Sequence, residues 1–331
     1  MARPKRETPQ ASLALAMRGK PSRTRPGTKK RRGRRAAPIP VAPLTKDGLP
    51  NVMAAASVVA DLDTGDELFV KHPDAVRPIA SVGKLFVALA VREKGIPLEK
   101  ETAVTEEDRK HALGGARSRL LVGTAYKNID LLRAMLVASD NRACTALGRA
   151  AGMTPAELVA AMNRQAKRLG LKRTRFTDPS GLNGNVSTPR ELLVALRAVL
   201  EDEVLAEILA TPSVFVSSTS HPRYGVQYFN TNVSLRVGRF PVIGGKTGYT
   251  DEARYCLATS AKLNGRRVGM VFLGAEGEMT RFADFSRVAQ WVVDGGPART
   301  RVPLKDARAL PQGVGASANP PPGAMTPKLA R

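Results

Sequence analysis

Histidine, cysteine, acidic side chains and long apolar runs are all in short supply in this chain. The three histidines, His72, His111 and His221, have no zinc-type spacing and lie near no motif, so they read as ordinary surface or loop residues. No metal or organic cofactor is implied. Two cysteines, Cys144 and Cys256, do not make a disulfide framework and read as buried free thiols. No apolar run approaches the roughly 18 residues that a membrane-spanning helix needs. The apolar stretch at residues 12–17 is shorter than the hydrophobic segment of an ordinary secretion signal. Acids are outnumbered, 29 against 52 Lys and Arg, for a formal charge of +23.

That excess is uneven. Residues 1–35 hold 13 Lys or Arg against the single acid Glu7. A run of this kind reads as a solvated tail, with an anionic polymer, nucleic acid or lipid as its natural contact. Residues 1–49 are basic and Pro-rich, and residues 297–331 are Pro-rich with Pro320-Pro321-Pro322 near the end. Between them, residues 50–296 have the length of one α/β enzyme domain.

Within that domain the pattern changes twice. Residues 56–62 and 67–71 flank Asp63-Thr64-Gly65-Asp66 as a hairpin. From Ser81, apolar Val82, Leu85, Phe86 and Leu89 recur at helical spacing, and Gly95 fits the end of that helix. Residues 129–138 form a second apolar helix. Thr154-Pro155-Ala156-Glu157 and Thr188-Pro189-Arg190-Glu191 are two helix-opening capping boxes, the first leading to a stop at Gly170. Strands return at 256–262 and 267–273 around Asn264-Gly265, a hairpin signal. Phe282, Phe285, Val288, Trp291 and Val292 mark a last helix. Strands at both ends with helices between predict an α+β fold, an antiparallel sheet covered by helices.

Three short motifs carry the chemistry: Ser81-Val82-Gly83-Lys84, Ser139-Asp140-Asn141 and Lys246-Thr247-Gly248. Positions three apart on a helix share a face, so Lys84 stands beside the Ser81 hydroxyl. Burial and a neighbouring cation, Lys246, lower a lysine's pKa and free it to act as a base. The helix amino end favours negative charge developing at Ser81. Ser139 is placed to relay a proton and Asn141 to hold a substrate backbone. Lys246 and Thr247 can grip a carboxylate, and their strand can pair with an extended peptide. Gly244-Gly245-Lys246-Thr247-Gly248 lacks the four-residue gap of a phosphate loop. A serine, a lysine, an SDN turn and a KTG strand in this order form an acyl-transfer site without histidine, a motif set known from β-lactamases and penicillin-binding proteins.

Residues from about 50 to 294 resemble the D-alanyl-D-alanine carboxypeptidases, the low-molecular-mass penicillin-binding proteins. The resemblance rests on the three motifs and on Arg77-Pro78-Ile79-Ala80, Ala161-Met162-Asn163, Leu169-Gly170-Leu171, Pro179-Ser180-Gly181-Leu182, Asn230-Thr231-Asn232 and Tyr255-Cys256-Leu257. Ala283, flanked by Arg281, Phe282 and Asp284, is similar to the branch that cuts cross-links. The resemblance implies a helical subdomain beside a sheet subdomain, with a cleft between them as in β-lactamases and transpeptidases. It implies Ser81 as nucleophile, Lys84 as base, Ser139 as proton relay, and Asn141, Lys246, Thr247 and Gly248 as substrate contacts. The backbone N–H groups of Ser81 and Tyr249 would form the oxyanion hole. The implied substrate is a peptidoglycan stem peptide ending in D-Ala-D-Ala, or a D-Ala cross-link, with β-lactams as covalent inhibitors and the periplasm or cell wall as location.

Three positions depart from the family pattern: Gly83 stands for a larger residue, Asp140 for a glycine, and Arg254 for a glycine beside the substrate strand. Two other readings stand beside the peptidase. A class A β-lactamase needs a deacylating glutamate, and residues 178–183 contain none. A non-catalytic wall-binding relative is suggested by Gly83 and Arg254.

Overall fold

The computed structural model describes residues 42–299. Of the tails expected at residues 1–49 and 297–331, residues 1–41 and 300–331 lie outside the described residues. The chain opens with β1 (Ala56–Asp61), β2 (Glu67–Lys71), the short β3 (Arg77–Pro78), a 3-10 turn (Ala80–Gly83) and α1 (Lys84–Glu93). β4 (Glu101–Ala103), α2 (Glu106–His111), β5 (Ala125–Lys127), α3 (Asn128–Val137), α4 (Arg142–Ala150) and α5 (Pro155–Arg168) follow. Next come β6 (Val186–Ser187), α6 (Pro189–Leu200), α7 (Glu203–Ala210), the hairpin of β7 (Ser213–Ser217) and β8 (Gly225–Phe229), and α8 (Ser234–Val237). The chain closes with β9 (Val242–Thr250), β10 (Arg254–Leu263), β11 (Arg266–Ala275), α9 (Thr280–Val293) and α10 (Gly296–Arg299).

Five strands make one antiparallel sheet in the order β2-β1-β11-β10-β9. Its central strands read as continuous apolar runs because both faces are covered. On one face Phe69, Leu257, Met270 and Phe272 pack against Phe282, Phe285, Val288 and Trp291 of α9. On the other, Val58, Ala258, Val271 and Leu273 join a larger core with Leu85 and Phe86 of α1, Leu192 and Leu193 of α6, and the remaining helices. The antiparallel sheet flanked by helices, with a helical layer beside it, is the fold expected from the pattern. No further strand among the described residues pairs with the outer edge of β9, the last strand in the order, and β9 carries Lys246-Thr247-Gly248.

Local differences have physical causes. The helix expected to begin at Ser81 begins at Lys84, and Ser81 sits inside the 3-10 turn. In a 3-10 turn, side chains at i and i+3 eclipse, which brings Lys84 over Ser81 more directly than an α-turn would. Thr154 and Glu157 form the expected reciprocal box. Thr188 caps α6 through Glu191 N, but the Glu191 carboxylate turns away to accept from Lys172 N, Arg173 N and Thr174 Oγ1. It thereby ties the following helix to the loop after α5. Residues 42–49 form a turn whose Gly48 carbonyl accepts from Trp291 Nε1 at 3.1 Å. Cys144 and Cys256 are buried free thiols.

Candidate active site

Ser81 is half-buried and Lys84 is fully buried behind it. Lys84 Nζ lies 2.7 Å from Ser81 Oγ, 2.6 Å from Asn141 Oδ1 and 2.8 Å from the Ser180 carbonyl oxygen. Two of these partners are pure acceptors and can take the two N–H bonds of a neutral amine. The third is a hydroxyl, which can donate to the remaining lone pair. Burial lowers the Lys84 pKa, opposed by the nearby Asp140 and Asp178 carboxylates. The arrangement suits a base that withdraws the Ser81 proton.

The Ser180 carbonyl is aimed by its own loop. Asp178 Oδ1 accepts from Ser180 Oγ at 2.7 Å and Gly181 N at 2.8 Å, and Oδ2 accepts from Asn183 N. Gly181 has φ +87, and a Cβ there would lie inside contact distance of the Ala80 carbonyl oxygen. Only glycine lets this loop press against the turn that carries Ser81.

The second motif is a helix terminus under strain. Asp140 N reaches back to Ala134 O at 3.0 Å, closing α3 through Ser139 at φ +62, a conformation that glycine usually supplies. Asp140 is buried and holds the turn. Its carboxylate accepts from Ser118 Oγ at 2.8 Å, Arg142 N at 3.0 Å and Tyr228 OH at 3.1 Å. Asn141 is thereby delivered to Lys84. The Ser139 hydroxyl makes no hydrogen bond among the described residues, so the structure joins Ser81, Lys84 and Asn141 directly and leaves Ser139 beside them.

Lys246 is buried with no exposed surface, and its Nζ donates to the Thr247 carbonyl at 2.9 Å. Burial drives its pKa well below the usual lysine range, and repulsion from Lys84 adds to this. Thr247 Oγ1 donates to Thr231 Oγ1 at 2.6 Å. A Cβ on Gly248 would come 2.8 Å from Ile79 O and 3.1 Å from Ser81 N, so β9 passes directly over the backbone of the turn that carries Ser81. Tyr249, next on the strand, is 45% exposed and stacks on Tyr255 at 4.3 Å.

Arg281 is a residue that motif reading did not single out. It is buried, donates from Nη1 to Gly248 O at 3.0 Å, and leaves its buried Nε unpartnered. No carboxylate pairs with it among the described residues; its guanidinium rests instead on Phe282 at 4.9 Å and Tyr255 at 5.1 Å. A desolvated arginine with a spare donor beside the KTG strand is suited to an incoming carboxylate. Its only signal in the sequence is its place in the Arg281-to-Asp284 run. Among the described residues no group of His, Cys, Asp or Glu could hold a metal ion.

Residues 44–277 match the family described as D-alanyl-D-alanine carboxypeptidase. The chain belongs to that family. A D-alanyl-D-alanine endopeptidase of Pseudomonas aeruginosa is 34% identical over 264 residues, covering 78% of this chain and 84% of that protein. A second, from Escherichia coli K12, is 32% identical over 247 residues, covering 74% and 79%. Among solved structures, a D-alanyl-D-alanine carboxypeptidase from Mycobacterium tuberculosis H37Rv superposes with a TM-score of 0.67 at 29% identity, covering 74% of this chain and 92% of its own. As a member of the D-alanyl-D-alanine carboxypeptidase family, the chain is a serine-type D-Ala-D-Ala peptidase.

Proposed function

We propose that Ser81 attacks the carbonyl between two D-alanyl units, or between D-alanine and the amine of a cross-linking residue, in peptidoglycan stem peptides. The observation that carries this reading is the buried Lys84 amine 2.7 Å from Ser81 Oγ with two carbonyl acceptors behind it. As the Ser81 O–C bond forms, the hydroxyl proton passes to Lys84 Nζ. The carbonyl oxygen takes up the negative charge between the N–H groups of Ser81 and Tyr249, a donor pair of the kind worth about 3 kcal/mol each. The C–N bond then breaks, and the leaving amine takes a proton that Ser139 relays from Lys84. Water next attacks the ester on Ser81 and gives a proton to Lys84; the bond to Ser81 Oγ then breaks as Lys84 returns that proton to it, which releases the shortened peptide and restores both groups.

Asn141, Lys246, Thr247 and Gly248 position the peptide along the edge of β9. Arg281 and Thr247 hold the carboxylate beside the scissile amide. Both kinds of substrate fit this scheme, and the endopeptidase names of the two relatives at 34% and 32% identity favour cleavage of cross-links in addition to terminal D-Ala. A β-lactam presents the same carbonyl and carboxylate and would acylate Ser81. A β-lactamase reading is less well supported, because the Asp178 carboxylate is already occupied by loop donors. The Lys84 and Asn141 geometry argues against a binding-only relative. A wall substrate places the protein in the periplasm or cell wall; no helix among the described residues is long and apolar enough to cross a membrane.

Two measurements test the reading. Fluorescent penicillin should label the wild-type chain durably and fail to label Ser81→Ala. Digested sacculi should release free D-Ala or split dimers; wild-type protein that takes no label and releases neither refutes the proposal.

A further inference from the structure

Beyond the catalytic cleft lies a cavity of about 280 Å³ between α8 and the start of α9. Val233, Val237, Phe240, Met279 and Phe282 wall it, and Arg239 stands at its rim. Val237 and Met279 are exposed by 70% and 61%, so its mouth is open and apolar. Arg239 lies over the Phe240 ring at 5.2 Å and donates to Gln290 Oε1 at 3.2 Å, with no carboxylate partner among the described residues.

The cavity shares a wall, Phe282, with the surroundings of Arg281. Thr247 pairs in register with Leu257, whose side chain belongs to the core beneath α9. Thr247, Thr231 and Arg281 therefore share that face of the sheet. The Arg281 guanidinium rests on Phe282 at 4.9 Å, and Phe282 is itself a wall of the cavity. One aromatic ring thus separates the carboxylate-seeking arginine from the apolar space. A peptide lying antiparallel on β9, with its scissile carbonyl at Ser81, runs its amine side past Thr247 toward Val242, roughly 16 Å further along the strand. A terminal D-Ala ends at Arg281. A cross-link does not end there: its diamino acid continues as an aliphatic arm toward a second peptide that bears its own carboxylate.

We propose that this cavity receives the amine-side arm of a peptide cross-link, with methylene groups against Val237, Met279 and Phe282 and the far carboxylate on Arg239. The chemistry matches on both counts, an apolar slot for the arm and a cation without a carboxylate at its end. The inference rests on the peptidase reading and adds a preference for cross-linked over linear substrate.

Two variants of the full chain test it. Arg239→Glu reverses the rim charge on an exposed residue, and Ala283→Phe fills the slot from α9. Each is assayed on a purified cross-linked muropeptide dimer, on an uncross-linked stem peptide ending in D-Ala-D-Ala, and by fluorescent-penicillin acylation. The expected result is a rise in KM for the dimer of about tenfold, with terminal D-Ala release and acylation within about twofold of wild type. Dimer cleavage unchanged in both variants overturns the proposal. So does a parallel fall of all three activities in Arg239→Glu, or a wild-type enzyme that trims terminal D-Ala and leaves dimers intact. A wild-type chain that penicillin does not acylate would instead sink the peptidase reading, and this inference with it.

Discussion

Replacing Lys246 by methionine should make the protein more stable and far less active. The Lys246 amine has no exposed surface, one hydrogen bond among the described residues, to the Thr247 carbonyl, and a second buried amine, Lys84, as its electrostatic neighbour. Methionine has similar length and no charge to desolvate. Exchanging poorly compensated buried ions for apolar groups of similar volume gains about 1–4 kcal/mol. The lower half of that range applies here, because the depressed pKa lets the amine shed its proton and part of its cost. About 2 kcal/mol corresponds to roughly 4–8 °C in Tm for a domain of this size. The pH dependence follows from the direction of the shift. Between the lowered folded pKa and the ordinary value of 10.5, the unfolded chain binds more protons at this site than the folded one. Wild-type stability therefore rises with pH through that window. The methionine variant has no such term, so its advantage is largest at pH values below the window and shrinks as pH approaches 10.5. Thermal melts of both proteins across that range, with penicillin acylation measured in parallel, give the test. Acylation should fall by about 100-fold. A variant that melts at or below wild type at every pH would refute the claim that Lys246 is held at a cost.

Gly83→Ala should retain penicillin labelling and gain about 0.5 kcal/mol in denaturant melts, since φ is −57 and the new Cβ would meet Asn185 Nδ2 and Phe176 Cε1 at 3.4 Å; loss of labelling would show that the glycine is required. Arg254→Gly should stabilise by about 1 kcal/mol by relieving φ +56, because the exposed Glu276 pairing at 4.0 Å contributes little; an unchanged or lower midpoint in urea contradicts this. Gly181→Ala should destabilise by about 2–3 kcal/mol and slow acylation, because the Ser180 carbonyl behind Lys84 must move with the loop. Acylation at the wild-type rate would separate that loop from the chemistry.

The outline of the fold was legible because its signals are local. Asn264-Gly265 marks the β10–β11 hairpin, Thr154 and Glu157 mark the start of α5, and the spacing of Phe282, Phe285 and Val288 marks α9. The three motifs were legible for the same reason, each being a contiguous string. What could not be read is assembled from distant segments. Ser180, 96 residues from Lys84, contributes only its backbone oxygen, and a carbonyl has no sequence signature. Nothing in the string around Asp140 shows that Ser118 and Tyr228 converge on it to fix the turn. α1 starts one turn later than the periodicity predicts, because helical periodicity does not distinguish a 3-10 entry from an α-turn, and the φ of +48 at Ala80 is invisible in the string. The string does not mark Arg281, because an arginine becomes informative only when it is buried and lacks an anion.

That last property sorts the basic side chains of the molecule's interior. Arg190 is 7% exposed and paired to Glu67 and Asp74, and the half-buried Arg287 is paired to Asp284. These are structural ions, neutralised within the fold. Lys84, Lys246 and Arg281 are as deeply buried, yet among the described residues none has a carboxylate within ion-pair distance. All three meet around Gly248: Arg281 binds its carbonyl, Lys246 lies two residues before it, and Lys84 lies behind the serine whose amide it nearly touches. A fold that pairs its buried Arg190 has no energetic reason to leave three buried basic groups without a carboxylate in one groove. The groove makes sense if its missing negative charge arrives with the substrate, as a carboxylate beside the scissile bond and as the oxyanion that forms when Ser81 attacks.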